Sequence, residues 1–518
     1  MGVAVRLAPL RTAETVVLGV VLLLAAFLRV AHLGALPLFY DESIYTRAIQ
    51  VFVAAPSFTT WLYGLHNAAL PLFPSLAAPL TALLPNPVLA ARLTSAIIGL
   101  VAVLGVWASG RTWAGPRLGV LAAFIYTVCP FSVFYSRMGM LDGPVAMCGA
   151  WALFYALRLS RSGCAGDMIG LSLCVGAGLL GKLTAISMVL LPILAVVTAT
   201  PSLRPVVTRR ATLALILAVL PLLWLLSRPE TRPLIDIMRV HTQSSQSVAH
   251  IVAGQLGEWA DALWLYLTPP IIIAAFVGLG AAWRERSGRL VIIWAACGGL
   301  LPALAPEQFL APRYFLYISV PIVLLAAWGL IALALVATTF SRGRHLPGAL
   351  VRAAIVGVSV LVVGPSAIAN RAMLTDPHQI PLTPFDRWQY VTGWPSGYTL
   401  QRLIDSVHGE ERSRPVAVFY PMDSPPGDSL PVPLRGDARV QLYPIELDVV
   451  RRHAVRHIPG RRALLILFQP ADRRQVAPVL GWQPILYTPA HVSGGAYMIY
   501  EELRMTNISQ TRTTTARH

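Results

Sequence analysis

Long apolar runs alternate along the chain with short basic loops. The runs lie near residues 13–33, 91–109, 117–135, 141–158, 168–181, 183–200, 211–227, 263–283, 290–305, 314–337 and 353–370. Such runs suit helices that cross roughly 30 Å of hydrocarbon. The pattern predicts a polytopic α-helical membrane protein with about eleven transmembrane helices. One further apolar stretch, Ala69–Leu84, contains Pro71, Pro74 and Pro79. Three prolines suit a broken or interfacial helix better than a clean crossing. Laid along the outer surface, it falls inside a large first outer loop over 34–90.

After Asn370 the pattern changes to short β-like runs, Val416–Tyr420, Val440–Pro444, Ala463–Phe468 and Ala496–Tyr500, with polar stretches such as Leu447–His457 between them. Four such runs predict a small α/β domain. The expected organisation is a transmembrane domain over 1–370, an extracytoplasmic α/β domain over 371–505 and a disordered tail over 506–518.

Composition narrows the class. Of 518 residues, 56% are hydrophobic and 13% charged, with a mean hydropathy of +0.63. Soluble chains carry about 25% charged residues, so this is an integral membrane protein. The net charge of +17 would raise nucleic acid as a partner in a soluble chain. Here the cations cluster in loops between apolar runs, which is the positive-inside signature, and no nucleic acid is expected. With the N-terminus cytoplasmic, fifteen cations fall in short inner segments, among them Arg111, Arg117, Arg158, Arg161 and Arg284, while the longer outer segments hold nine. That sets a multi-pass protein of the cell (plasma) membrane with the α/β domain outside. The five cysteines lack metal-like spacing, so neither a zinc site nor a disulfide framework is expected. The first run lacks a small-residue cleavage site and reads as a retained span.

This orientation gathers candidate chemistry on the outer side. Nearly every acid of the membrane half falls there: Asp41, Glu42, Asp142, Glu230, Asp236, Glu258, Asp261 and Glu307. Asp41-Glu42 follows the first run inside LPLFYDESIYTR; Arg137 and Asp142 share the loop SRMGMLDGP; Lys182 stands in Gly181-Lys182-Leu183-Thr184; Arg313-Tyr314 opens the tenth run. Lys182 is the single lysine of the chain. Against an arginine bias it suggests a place for a compact point charge, and lysine is a good phosphate partner.

Plainer readings stand beside these. Asp41-Glu42 suits a solvated loop, Arg137 and Asp142 an ion pair closing a turn, Lys182 a snorkelling span end, Arg313-Tyr314 an interface anchor, and His66 a headgroup contact. Together they put two or three carboxylates and three cations on one membrane face. Carboxylates suit a general base or a divalent-cation site, and cations suit a phosphate leaving group.

In order and placement these residues resemble the GT-C superfamily of polytopic glycosyltransferases, within it the protein O-mannosyltransferase and aminoarabinose-transferase branch. The resemblance is carried over roughly residues 15–340 by Asp41-Glu42, His66-Asn67, Ala91-Arg92-Leu93, Arg137 with Asp142-Gly143-Pro144, Gly181-Lys182-Leu183-Thr184 and Arg313-Tyr314. The segment DRWQYVTGWPSGY, Asp386 to Tyr398, is similar to one in bacterial mannosyltransferase-like members. The chain departs from many members in having His66-Asn67-Ala68-Ala69-Leu70-Pro71-Leu72 where they carry a Lys or Asp before Pro-Pro-Leu.

The resemblance implies a polyprenyl-phosphate-linked sugar donor, a glycan, lipid or protein acceptor, and inverting transfer on the outer face. In it Asp41 acts as the base and Asp142 orients the acceptor or shares a divalent cation (Mg or Mn) with Asp41. Arg137, Lys182 and Arg313 hold the departing phosphate, with Glu42, His66 and Tyr314 lining the substrate site. No nucleotide cofactor is expected, since the chain has no glycine-rich phosphate loop. Two other classes share many spans. A transporter or flippase of lipid-linked sugars should carry midplane charges and internal repeats, neither of which is detected. A polysaccharide polymerase or ligase shares the donor but does not call for the acids at Asp41-Glu42.

The orientation is testable. Single cysteines placed at positions 41 and 344 should be labelled by an impermeant maleimide from opposite sides of the membrane; labelling of both from one side overturns the topology.

Overall fold

The computed structural model describes residues 12–67, 69–236, 248–303, 311–343, 348–411, 414–422, 427–446, 458–469, 482–489 and 496–502. The expected polar stretch 447–457, the expected tail 506–518 and Glu307 lie outside the described residues. The chain forms two compact units, Met1–Ala35 with Ala48–Thr383, and Leu36–Arg47 with Pro384–His518.

The first unit is helical. Its early elements are α1 (Thr12–Val30), the later part of α2 (Tyr40–Ala54), α3 (Phe58–Trp61), α4 (Leu72–Leu83), α5 (Pro87–Ala114), α6 (Pro116–Val128), α7 (Pro130–Tyr135) and α8 (Asp142–Ser162). They are followed by α9 (Ala165–Gly181), α10 (Leu190–Thr198), α11 (Arg204–Leu226), α12 (Val248–Tyr266), α13 (Pro269–Ala282), α14 (Arg286–Ala303), α15 (Ser319–Gly343) and α16 (Gly348–Thr375). By length and composition, Thr12–Val30, Pro87–Ala114, Arg204–Leu226 and Pro312–Phe340 can each cross a membrane, and five shorter helices are apolar. Their outward rows, such as Val16, Val20, Leu23 and Phe27 on α1 and Ile216, Leu220 and Trp224 on α11, are exposed. An apolar surface of that extent belongs in lipid rather than water.

Several expected boundaries are corrected. The runs expected at 117–135, 183–200 and 263–283 each contain a break. Pro130 ends α6 at Val128, and a 3-10 turn, Leu183–Val189, precedes α10. Gly254–Tyr266 and Pro269–Ala282 meet at 104°, through Thr268 at a φ of 66°. Proline removes a helical donor and disfavours the helical conformation of the residue before it, so the Pro breaks follow from sequence once packing holds them. The expected loop 34–90 is largely helical, through α2, α3, the 3-10 turn Tyr63–Asn67 and α4. The expected domain boundary at 370 falls within α16, whereas the two units divide at Thr383/Pro384 and residues 36–47 belong to the second.

In the second unit, α17 (Pro384–Arg387) and a π-helical turn (Trp388–Thr392) lead to α18 (Gly397–Glu411), and α19 (Pro431–Leu434) lies between the first two strands. The strands are β1 (Val416–Pro421), β2 (Val440–Ile445), β3 (Arg462–Gln469), β4 (Trp482–Pro489) and β5 (Ala496–Glu502), in the order β2-β1-β3-β5-β4. β1 is parallel to β2 and β3, pairing Val416 with Val440 and with Arg462; β5 is antiparallel to β3 and β4. Leu400, Leu403, Ile404 and Val407 of α18 pack on one face against Val416, Val418, Leu464 and Ile499, and Ala417, Phe419, Leu465, Met498 and Tyr500 fill the other. Strands buried on both faces read as continuous apolar runs, which is why β1, β3 and β5 are visible in sequence; β2, at the edge and largely open, shows through its β-type residues instead. The fifth, β4, was missed because Pro484 and Pro489 argue against a strand; it lies at the sheet edge, where proline is tolerated.

Helices α13 and α15 meet backbone to backbone. A Cβ at Gly278 would stand 1.8 Å from Leu325 O, and one at Gly329 2.0 Å from Ala274 O. Gly329→Ala should therefore destabilise by about 1–3 kcal/mol or more, whereas Gly280→Ala, with nothing within 4 Å of its Cβ position, should unfold like wild type in detergent.

Candidate functional site

Four of the eight residues singled out from sequence converge in the first unit. Asp142 opens α8, where Pro144 fits the first turn without losing a helical hydrogen bond. Lys182 is the C-cap of α9, extended at φ −166° and ψ 146°, with its N–H on Gly178 O. Arg313 follows Pro312 in the 3-10 turn that leads into α15. A carboxylate at a helix N-terminus and an ammonium at a helix C-terminus both sit favourably with the helix dipoles. The three meet: Lys182 Nζ donates to Asp142 Oδ1 at 2.8 Å, and Arg313 Nε is 3.8 Å from Asp142 Oδ2. The Tyr314 ring backs both cations, with Lys182 Nζ 3.7 Å and Arg313 Cζ 5.4 Å from its centroid.

Burial makes the cluster electrostatically strong. The Asp142 side chain is 2% exposed, Arg313 4% and Lys182 15%, so the contacts lie in a medium that screens poorly. Asp142 Oδ2 receives no hydrogen bond among the described residues. A buried acceptor oxygen beside a partly open ammonium is a place where a hydroxyl or a phosphate can be taken up.

The other sequence candidates go elsewhere. Arg137 does not close a turn with Asp142. Its Nη1 donates to Leu28 O at 2.7 Å and its Nη2 to His32 O at 2.9 Å, so it caps the C-terminal end of α1. Arg92 Nη1 donates to Leu33 O at 2.7 Å in the same place. Burial lowers the Arg137 guanidinium to about 10, and the neighbouring Arg92 and Arg29 charges push the same way. His66 is exposed on the 3-10 turn, its ring edge-on to Tyr63 at 4.7 Å.

Asp41 and Glu42 lie in the second unit, in the first turn of α2. Glu42 is fully buried, while Asp41 is half-buried. Ser43 Oγ lies 2.6 Å from Ser429 Oγ, and Tyr40 N–H donates to Pro395 O at 3.0 Å. These contacts bring two residues that sequence reasoning passed over, Tyr40 and Asp428, to Asp41. The Tyr40 hydroxyl is pushed well above its usual range by burial, and then by the charges of Asp41 and Asp428. No local signal marks Asp428, which lies nearly the whole chain away from Asp41.

Comparison with known proteins agrees with this architecture. Residues 68–226 match the family model of dolichyl-phosphate-mannose-protein mannosyltransferase. That stretch holds Asp142 and Lys182, but not Asp41 or Arg313. Among solved structures the chain is similar to ArnT from Cupriavidus metallidurans bound to undecaprenyl phosphate, at 18% identity and a TM-score of 0.54, covering 96% of this chain and 99% of that one. The apo state of the same ArnT gives 17% identity and a TM-score of 0.59, covering 94% and 98%. An apo oligosaccharyltransferase from Archaeoglobus fulgidus gives 13% and 0.51, covering 89% of this chain and 70% of that one. No curated protein matches the chain.

The cluster makes a stability prediction. Lys182→Met leaves Asp142 buried with one distant cation and should cost about 3 kcal/mol, the low end for a broken buried pair because Lys182 is partly open. Adding Asp142→Asn should cost less than the sum of the two single changes in chemical unfolding from mixed micelles; strict additivity would show that the pair is not coupled.

Proposed function

We infer that this chain, a glycosyltransferase of the GT-C superfamily in the branch of ArnT and the protein O-mannosyltransferases, moves a sugar from a polyprenyl-phosphate donor to an acceptor on the outer face of the plasma membrane. The observation that carries this is the buried meeting of Lys182 and Arg313 on one carboxylate. Two cations and a tyrosine ring at a helix end, one of the cations partly open, suit a phosphate that arrives on a lipid. A match to a family named for dolichyl-phosphate mannose and a fold shared with a protein crystallised with undecaprenyl phosphate support a donor of that class. The positive-inside distribution supports the outer face.

The reaction follows from the groups. Asp41 accepts the proton of the acceptor hydroxyl as its oxygen attacks the anomeric carbon from the face opposite the phosphate. The bond between that carbon and the phosphate oxygen breaks, its electron pair stays with the oxygen, and configuration inverts. Charge grows on the departing lipid phosphate, and cations already in place stabilise it without reorganisation. Lys182 and Arg313 fill that role. Arg137, with one terminal nitrogen on the Leu28 carbonyl of α1 and the other on the His32 carbonyl just beyond it, holds the frame instead. Asp142 Oδ2 offers a hydrogen-bond acceptor to a sugar hydroxyl.

A Mg or Mn ion shared by Asp41 and Asp142 fits poorly at Asp142. Lys182 at 2.8 Å and Arg313 at 3.8 Å already place two positive charges against that carboxylate, and like charges repel strongly where screening is weak. No step is therefore assigned to a metal there.

Two variants separate the roles. Asp41→Asn should bind undecaprenyl phosphate like wild type and lose about 10²–10⁴-fold in transfer. Lys182→Ala should lose donor affinity together with rate, because the phosphate contact exists in both ground and transition states. Normal transfer by Asp41→Asn, measured with a panel of polyprenyl-phosphate sugars, removes the catalytic assignment.

A further inference from the structure

The second unit carries a group of aromatic side chains around the Asp41 turn that its strand core does not use. Tyr40 stands edge-on to Trp394 with ring centroids 5.2 Å apart, and Trp394 edge-on to Trp388 at 6.4 Å. Phe385 lies 6.1 Å from Trp388, and Trp394 is braced from behind by Phe468 at 5.1 Å. Tyr40, Phe385, Trp388 and Trp394 are all half-buried. The segment is held firmly. The backbone at Pro395 is bonded to Tyr40, Gly393 N–H donates to Trp388 O at 2.6 Å, and Gly397 lies so close to Pro37 and Leu38 that a Cβ there would stand 2.5 Å from their backbone atoms.

Two carboxylates accompany these rings. Asp41 is next in sequence to Tyr40, and Asp428 is brought in by the Ser43–Ser429 contact of 2.6 Å. Both charges act on the Tyr40 hydroxyl. Half-buried aromatic rings next to carboxylates are the chemistry that recognises a sugar. The rings cover the apolar C–H face of a pyranose, and carboxylates take hydrogen bonds from its hydroxyls. The same two charges oppose an anionic acceptor.

We propose that Tyr40, Trp388 and Trp394, with Asp41 and Asp428, form an acceptor subsite for an uncharged sugar, so that the hydroxyl glycosylated belongs to a neutral glycan. This rests on Asp41 being the base of the transferase reaction, and it names the acceptor class. Asp428 is then a positioning residue, accepting a hydrogen bond from a neighbouring hydroxyl while Asp41 takes the reacting proton. Trp388 and Trp394 set the plane of the ring.

Binding tests this without knowledge of the donor sugar. The full chain in nanodiscs is titrated with neutral oligosaccharides ending in mannose, glucose or galactose, with mannose 6-phosphate, and with a Ser/Thr-rich peptide, following tryptophan fluorescence. Arg387, which precedes Trp388, is the reason the phosphorylated sugar is in the panel. A neutral oligosaccharide should bind at millimolar concentration or better, and Trp394→Ala and Asp428→Asn should each weaken it about 10-fold. Trp394→Phe, which keeps an aromatic face, should recover most of the loss and guards against a folding defect in Trp394→Ala. Preference for the phosphorylated sugar or the peptide, no binding by any neutral sugar, or binding indifferent to both substitutions overturns the proposal. Undecaprenyl phosphate binding on the same samples reports on the donor reading separately: it should be lost in Lys182→Ala and kept in Trp394→Ala.

Discussion

Burying a carboxylate is costly unless cations stand beside it, and Asp142 meets that constraint with Lys182 and Arg313 together. The contact ties the start of α8, the end of α9 and the turn before α15 to one place. It also explains local choices that otherwise look arbitrary: a helix that stops at Gly181, a lysine in extended conformation, and a proline before Arg313. An ion pair of this kind is weak grounds for stability. Its value lies in register and in holding two positive charges in fixed places.

The rest of the first unit supports that end of the helices and the opposite one by different means. At one end, Arg92 and Arg137 bind carbonyls at the finish of α1 and in the turn after it, and the fully buried Arg29 donates to Thr127 O at 3.3 Å and to Ser132 Oγ at 2.7 Å. Gly99 leaves room for this, since a Cβ there would stand 2.8 Å from Arg29 Nε and 2.7 Å from Ser136 Oγ. At the other end the pairs are between side chains: Arg111 with Glu14 at 2.8 Å, Arg158 with Asp167 at 2.6 Å, and Trp113 with Glu285 at 2.9 Å. With both ends fixed by polar contacts, the apolar lengths between them can pack through small residues, as α13 and α15 do at Gly278 and Gly329.

The second unit is built differently from the first. Its sheet is an ordinary α/β core, yet it includes residues 36–47, so the proposed base comes from the unit that carries Trp388 and Trp394. Lys182 and Arg313 belong to the first unit.

Composition and the long apolar runs determined the membrane class by themselves, because a chain with 13% charged residues and spans of about twenty apolar residues has few other ways to bury its surface. The short β-type runs after Asn370 determined the α/β character of that region, most clearly through β1, β3 and β5, which are buried on both faces. Residue type and loop position were enough to pick out Asp142, Lys182, Arg313 and Tyr314, since ionisable groups at apolar span ends are costly and so informative. Which of the cations share a carboxylate was decided only in three dimensions. Asp142 and Arg137 are five residues apart, but the helix dipoles and burial give Asp142 to Lys182 and Arg313, while Arg137 serves the end of α1. The breaks at Cys129 and Thr268 needed packing as well as proline. So did the transfer of Asp41 to the second unit and the approach of Asp428, because contacts between residues hundreds of positions apart leave no local periodicity in a single chain.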